Sequence, residues 1–310
     1  VQTGVKLPKL KKEDIDELSI SPPEKPAVTL KKAEKGWTLT SPLTAAADSA
    51  AVETALSKLA ELEVVGLAAT QADNHERLDV TDKKAVHVIA KQGGKPVLDV
   101  LLGAYRTGNT MVREPSSDNV AVVKGSIKYA FEKEIKDWRE RLVVDVTSEQ
   151  VKAVTFDNAK GSFHFVKEDN VWKQAPGDKP IAGFESGKIV SLVGTATTMR
   201  ANDFAAADVT EDAAGVGAKP VGLVTLTTGG DAGEQQVVLH VGQKHGDGYY
   251  LKREGKDVIF VVSPFAGERM LSGPDKFVKD EPKPADPKAG AKADATQAKK
   301  PIVVEPTIKH

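Results

Sequence analysis

One order of features runs twice along this chain, and that repetition limits its fold more than any other property. Around Trp37 the sequence reads VTLKKAEKGWTLTSP (Val28 to Pro42), and around Trp172 it reads FHFVKEDNVWKQAP (Phe163 to Pro176). A helical stretch follows each. Then comes a hairpin pattern closing on an apolar run and a glycine, VLDVLLG at Gly103 and QVVLHVG at Gly242. A second hairpin pattern follows each glycine, TMVREPSSDNVAVV from Thr110 and GYYLKREGKDVIFVV from Gly248. Runs that alternate with period two mark strands, and the turns between them are rich in Gly, Asp and Pro. The expected fold is therefore α+β. Two tandem repeats, each an antiparallel sheet built of hairpins packed on a helix, are joined by a connecting helix and followed by a disordered C-terminal tail.

The expected boundaries are a linker over 1–15, a first unit over 16–125, a connecting helix over 126–141, a second unit over 142–275 and a tail over 276–310. The first strand is placed at Asp16 to Ile20. Asp48 or Ser49 should cap the first helix, whose stripe is Val52, Leu56, Leu59 and Leu62. Glu185 or Ser186 should start the matching helix, with Ile189, Val193 and Ala196 on its buried face. Ile127, Phe131, Ile135 and Trp138 keep one apolar side through the connector. From Lys276 onward Pro, Ala, Lys and Asp dominate, a composition that buries too little to offset ordering entropy.

The 310 residues suffice for two cores. A net charge of −1 supplies no field for nucleic acid, and 5% aromatics make a poor base-stacking platform. The absence of cysteine removes disulfides and thiolate chemistry. No stretch reaches the ~20 apolar residues of a membrane span. The chain opens at Val1 rather than Met, so an anchoring helix or signal upstream is compatible with it.

No phosphate-loop, dinucleotide, zinc-hydrolase or serine-hydrolase motif occurs. Gly229 to Gly233 reads as a hairpin turn. His240, His245 and Asp247 come closest to a metal cluster, but their spacing fits no standard zinc pattern. His75 is isolated, and His87 and His164 read as ordinary strand residues. Arg113, Lys252 and Arg253 occupy matched hairpins and read as solvent-facing residues rather than as a basic strip. Trp37 and Trp172 read as core anchors rather than sugar platforms. The expectation is thus a chain that is not an enzyme, with no catalytic, cofactor-binding or metal residues, no cofactor, and no nucleophile–base pair within hydrogen-bond reach.

The pattern resembles the bacterial domain-of-unknown-function family 4340. Its carriers in the first unit are Gly36, Trp37, Leu39, Pro42, Leu59, Leu62, Leu101, Gly103, Met111, Val112 and Arg113, with Asp137 and Arg139 ending the connector. In the second unit they are Trp172, Pro176, Gly242, Tyr250, Leu251 and Lys252. The resemblance implies an extracytoplasmic domain behind an N-terminal membrane helix, on the periplasmic side of the inner membrane. It also implies an association with ABC-type transporters like the gliding-motility system. The expected function is an accessory or scaffold module whose partner is a transporter subunit or another envelope protein. The alternative is a protein that holds a small molecule or glycan between its two units.

Overall fold

The computed structural model describes residues 6–229 and 233–280. Nine strands form the first sheet: β1 (Glu17–Ser21), β2 (Val28–Lys32), β3 (Trp37–Ser41), β4 (Ala45–Ala46), β5 (Val64–Ala69), β6 (Val86–Gln92), β7 (Lys95–Arg106), β8 (Asn109–Arg113) and β9 (Val120–Lys124). Eight form the second: β10 (Val151–Asn158), β11 (Gly161–Glu168), β12 (Val171–Gln174), β13 (Asp203–Phe204), β14 (Gly222–Thr228), β15 (Gln235–His245), β16 (Gly248–Arg253) and β17 (Ile259–Val262). The first sheet is ordered β4-β3-β2-β1-β6-β7-β8-β9-β5, the second β12-β11-β10-β14-β15-β16-β17-β13. With the two-residue β4 set aside, the orders match strand for strand. The repetition in the sequence is thus a repetition of topology, and Trp37 and Trp172 lie on equivalent strands, the third of each unit.

Each sheet packs on a helix, α1 (Ser49–Ala60) in the first unit and, after the short connector helix α2 (Ile135–Trp138), α3 (Ser186–Thr197) in the second. Asp48 caps α1 by accepting the Ala51 N–H at 3.0 Å. Val52, Ala55, Leu56 and Leu59 are the buried face of α1, and Ile189, Leu192, Val193, Ala196 and Thr197 that of α3. Val52, Leu56, Leu59, Ile189, Val193 and Ala196 are where helical spacing places them, whereas Leu62 falls beyond the end of α1 and only packs on the margin of the core.

A smaller core lies on the reverse face of each sheet. Met111 and Val112 are consecutive and so point to opposite faces; Val112 joins the main core, and Met111 packs with Leu78, Val80 and Val120. Leu251 and Tyr250 divide in the same way, Tyr250 packing with Ala214, Val216 and Val261. Ala214 ends α4 (Glu211–Ala214), which crosses this reverse face. The backbone that carries each reverse core passes directly over Gly103 or Gly242, and both glycines sit within the bulge of their strand pair.

Three boundaries differ from expectation. The connector is not one helix: a 3-10 turn at Lys128–Ala130 and the four-residue α2 are separated by extended backbone at Glu134. Beyond Trp138 the chain is extended because the first unit offers it backbone partners. The Asp48 N–H donates to the Trp138 carbonyl and the Glu140 N–H to the Ala46 carbonyl, both at 2.9 Å. Those non-local bonds override the helical spacing of the apolar residues. The expected linker is part of the body from Lys6 on, with Ile15 at 2% exposure and Leu7 and Leu10 against the first core. The expected tail starts too early. Phe277 is fully buried among Phe156, Phe163 and Phe165, and Val278 bridges Phe184. Residues 281–310 of that tail lie outside the described residues, as do 1–5 of the linker.

The two units meet at a clasp built on the connector. Arg200 of the second unit donates to Asp48 Oδ2 at 2.7 Å, so one carboxylate caps α1 and ties the units together. The Arg139 guanidinium stacks 3.4 Å over the Phe204 ring, and burial pulls it below its ordinary pKa while Asp203 opposes the shift. The Asp48→Ala variant should lose about 1–2 kcal/mol, mostly the cap. Arg200→Ala should lose less, and the double variant should show a coupling of about 0.5–1 kcal/mol, since Arg200 is half exposed. Urea unfolding of the four proteins measures this, and strict additivity would remove Arg200 from the clasp.

Candidate functional site

The histidines singled out by sequence are held by local partners. The His240 Nδ1 lies 2.9 Å from the Val216 carbonyl oxygen, and His245 Nδ1 lies 2.8 Å from the Tyr250 hydroxyl, with the two rings stacked. Asp247 is in the following turn, and no metal-holding group of three His, Cys, Asp or Glu occurs among the described residues. His75 lies 2.9 Å from the Asp118 carbonyl oxygen, and His87 pairs with Asp99 at 2.6 Å. The Gly229 to Gly233 turn falls largely outside the described residues.

Arg113 is neither solvent-facing nor part of a basic strip. It is buried at 9% exposure, donating from Nε to the Val80 carbonyl at 3.0 Å and from its terminal nitrogen to the carbonyls of Pro115 and Ser117. The second unit serves the equivalent carbonyl, Val216, with His240, the strand neighbour of Lys252. Lys252 itself pairs with Glu211, and Arg253 with Asp145 at 2.7 Å. The two units thus satisfy one buried carbonyl from adjacent strands. This explains why the matched hairpins differ at these positions: a carbonyl buried without a donor costs about 1–3 kcal/mol.

Trp172 is a core residue at 3% exposure. Trp37 is only half-buried, packed on the margin of the first core, so the anchor role holds in full for one tryptophan.

The expectation of no nucleophile–base pair fails at one place. On β11, Ser162 and His164 are two residues apart and therefore share the outward face, opposite Phe163 and Phe165. Ser162 Oγ lies 3.3 Å from His164 Nε2. The other ring nitrogen, Nδ1, lies 3.1 Å from Asp178 Oδ2 and 3.2 Å from Oδ1. Asp178 also accepts the His164 backbone N–H at 3.1 Å, which fixes it relative to the strand. Its position comes from the turn Ala175-Pro176-Gly177-Asp178. Proline second and glycine third, the latter at φ +94°, form a type II turn that returns the chain across β11. A groove of about 620 Å³ runs beside the cluster, with Ser162, Phe163, Asp178, Lys179 and Ile181 on its wall. The sequence signal that could have found the site was Ser-x-His on an alternating strand.

Among the described residues, β5 pairs only with β9 and β12 only with β11, although the Trp172 N–H of β12 donates to the Ser186 hydroxyl. On β5, Val65 and Leu67 are 43% and 40% exposed; on β12, Val171 is 48% exposed. None of the described helices is long and apolar enough to cross a membrane.

Duplicated antiparallel sheets, each backed by a long helix (joined in the second unit by the short α5, Pro264–Met270) and clasped through a connector, define a tandem α+β module. The chain belongs to the family described as Domain of unknown function (DUF4340), whose model matches residues 37–214, more than half of its length. That match begins at Trp37 in the first unit and ends at Ala214 in the second, so it takes in the clasp. Neither the curated proteins nor the solved structures gave a match to the chain.

Proposed function

We propose that this chain is an extracytoplasmic accessory or scaffold module of the cell envelope, serving a membrane transport complex of the ABC type. The observation that carries the reading is where the repeated residues fall. Gly103 and Gly242, Val112 and Leu251, and Met111 and Tyr250 occupy equivalent places in packing and close backbone approach. What the duplication preserves is a frame. The edge of β5, which pairs only with β9 and carries exposed Val65 and Leu67, is suited to pairing with a partner's extended segment. The transporter association and the location outside the cytoplasm are part of the proposal and are motivated only by what the resemblance implies.

The test places a photoreactive residue at Leu67 or Val171 of the chain in its native cells. A crosslink to an integral transporter subunit is expected, together with cleavage of the chain by protease added outside the inner membrane. A chain that this protease cannot reach, or crosslinks only to soluble cytosolic proteins, would overturn the reading.

A further inference from the structure

We propose that Ser162, His164 and Asp178 form a hydrolytic centre that cleaves carboxylic esters with a short apolar acyl group bound in the groove beside β11. The accessory role does not require a chemically inert body, and this activity stands apart from it.

Nucleophilic catalysis by serine needs a base at its oxygen and a third group that orients the base. Here the carboxylate of Asp178 faces Nδ1 at 3.1 Å, holding the ring proton on that nitrogen. This leaves Nε2 with its lone pair toward Ser162 Oγ, 3.3 Å away. That is a long hydrogen bond, of the kind that tightens when a substrate is bound. The same cluster with the imidazole reversed, or with aspartate and serine on one nitrogen, could not relay a proton. Ser162 is exposed and shares the groove wall with Asp178, Pro180, Ile181 and Val278, which places an apolar acyl site next to its hydroxyl.

The reaction balances without a co-reactant other than water. Ser162 Oγ forms a bond to the carbonyl carbon, its proton passes to His164 Nε2, and the carbonyl π pair moves onto oxygen. As that pair returns, the bond to the alkoxy group breaks, and the leaving alkoxide takes the proton from His164. Water then adds to the acyl-serine by the same relay, releasing the carboxylic acid and restoring the Ser162 hydroxyl. Lys179 is the one cation among the described residues of the groove wall and the group available to offset the oxyanion. An exposed ammonium does this less well than buried backbone amides. The expected acceleration is therefore modest, about 10²-fold, the lower part of the range for positioned general-base catalysis.

The experiment uses the full chain with a fluorophosphonate probe and with p-nitrophenyl acetate. Wild type should take up one phosphonyl group, with loss of fluoride, and peptide mapping should place it on Ser162. Ester hydrolysis should fall to the buffer rate in Ser162→Ala and at least tenfold in His164→Ala and Asp178→Asn. Ser162 is on the surface, so the alanine variant should keep the wild-type melting temperature, which certifies the comparison. A label on another residue, or equal hydrolysis by wild type and Ser162→Ala, would overturn the proposal.

Discussion

Trp172→Ala is expected to cost about 3–5 kcal/mol, and the equivalent Trp37→Ala only about 1–2 kcal/mol. Both tryptophans lie in the third strand of their unit, Trp37 first and Trp172 second in it, but their surroundings differ. Trp172 is almost fully buried in the second core, and its backbone N–H donates at 3.0 Å to the hydroxyl of Ser186, the first residue of α3. Truncation there leaves a cavity bounded by a helix already pinned to the strand, which limits collapse. Trp37 is only partly buried, on the margin of the first core, so part of its ring area is never removed from water and a smaller void remains when it goes. Urea unfolding of the two variants checks this. Equal losses would mean that the apparent exposure of Trp37 is filled by something the two-core account omits.

Gly242→Ala should destabilise by about 3 kcal/mol or more, a large effect for one methyl group. The φ of Gly242 is ordinary, so the cause is contact alone. An added Cβ would stand 2.2 Å from the Ala214 carbonyl oxygen, 2.7 Å from Val216 Cγ1 and 2.9 Å from Tyr250 Cβ. The carbonyl belongs to the last residue of α4 and cannot retreat without lifting the segment that covers the reverse core. Gly103 meets the same obstacle, with the Leu78 carbonyl at 2.5 Å and Val80 Cγ1 at 2.5 Å. Gly246 is the control. It has open space around a Cβ but φ +56°, so alanine there should cost only the ~1–2 kcal/mol of a left-handed backbone. Thermal unfolding should rank Gly242→Ala well below Gly246→Ala. The reverse order would show that the α4 segment is loosely held.

What could be read in advance was what neighbours in sequence decide. Asp48 caps α1 because a carboxylate sits just ahead of an apolar stripe, and the hairpins form where Gly-rich turns separate alternating runs. The connector failed because its partners, Ala46 and Asp48, are about ninety residues away, and they claim the backbone of Trp138 and Glu140. Phe277 failed because a polar segment follows it, whereas three phenylalanines of the β10–β11 hairpin, more than a hundred residues earlier, enclose it. Arg113 was misread because strand alternation gives the face but not the covering segment that buries it. The Ser162–His164 pair is a matter of strand period and was legible. Asp178 was not, since a Pro-Gly turn announces reversal without saying over which strand the chain returns.

The central claim is that the chain holds two self-contained cores in one repeated frame. Native-state hydrogen exchange on the intact Trp172→Ala variant tests it most directly, because Trp172 belongs to the second core and takes no part in the clasp. The account predicts that amides of β10, β14 and β15 lose protection by the full destabilisation, while those of β1, β6 and β7 keep the wild-type values. An equal loss of protection in both sets would contradict it, since the two sheets would then be one cooperative body.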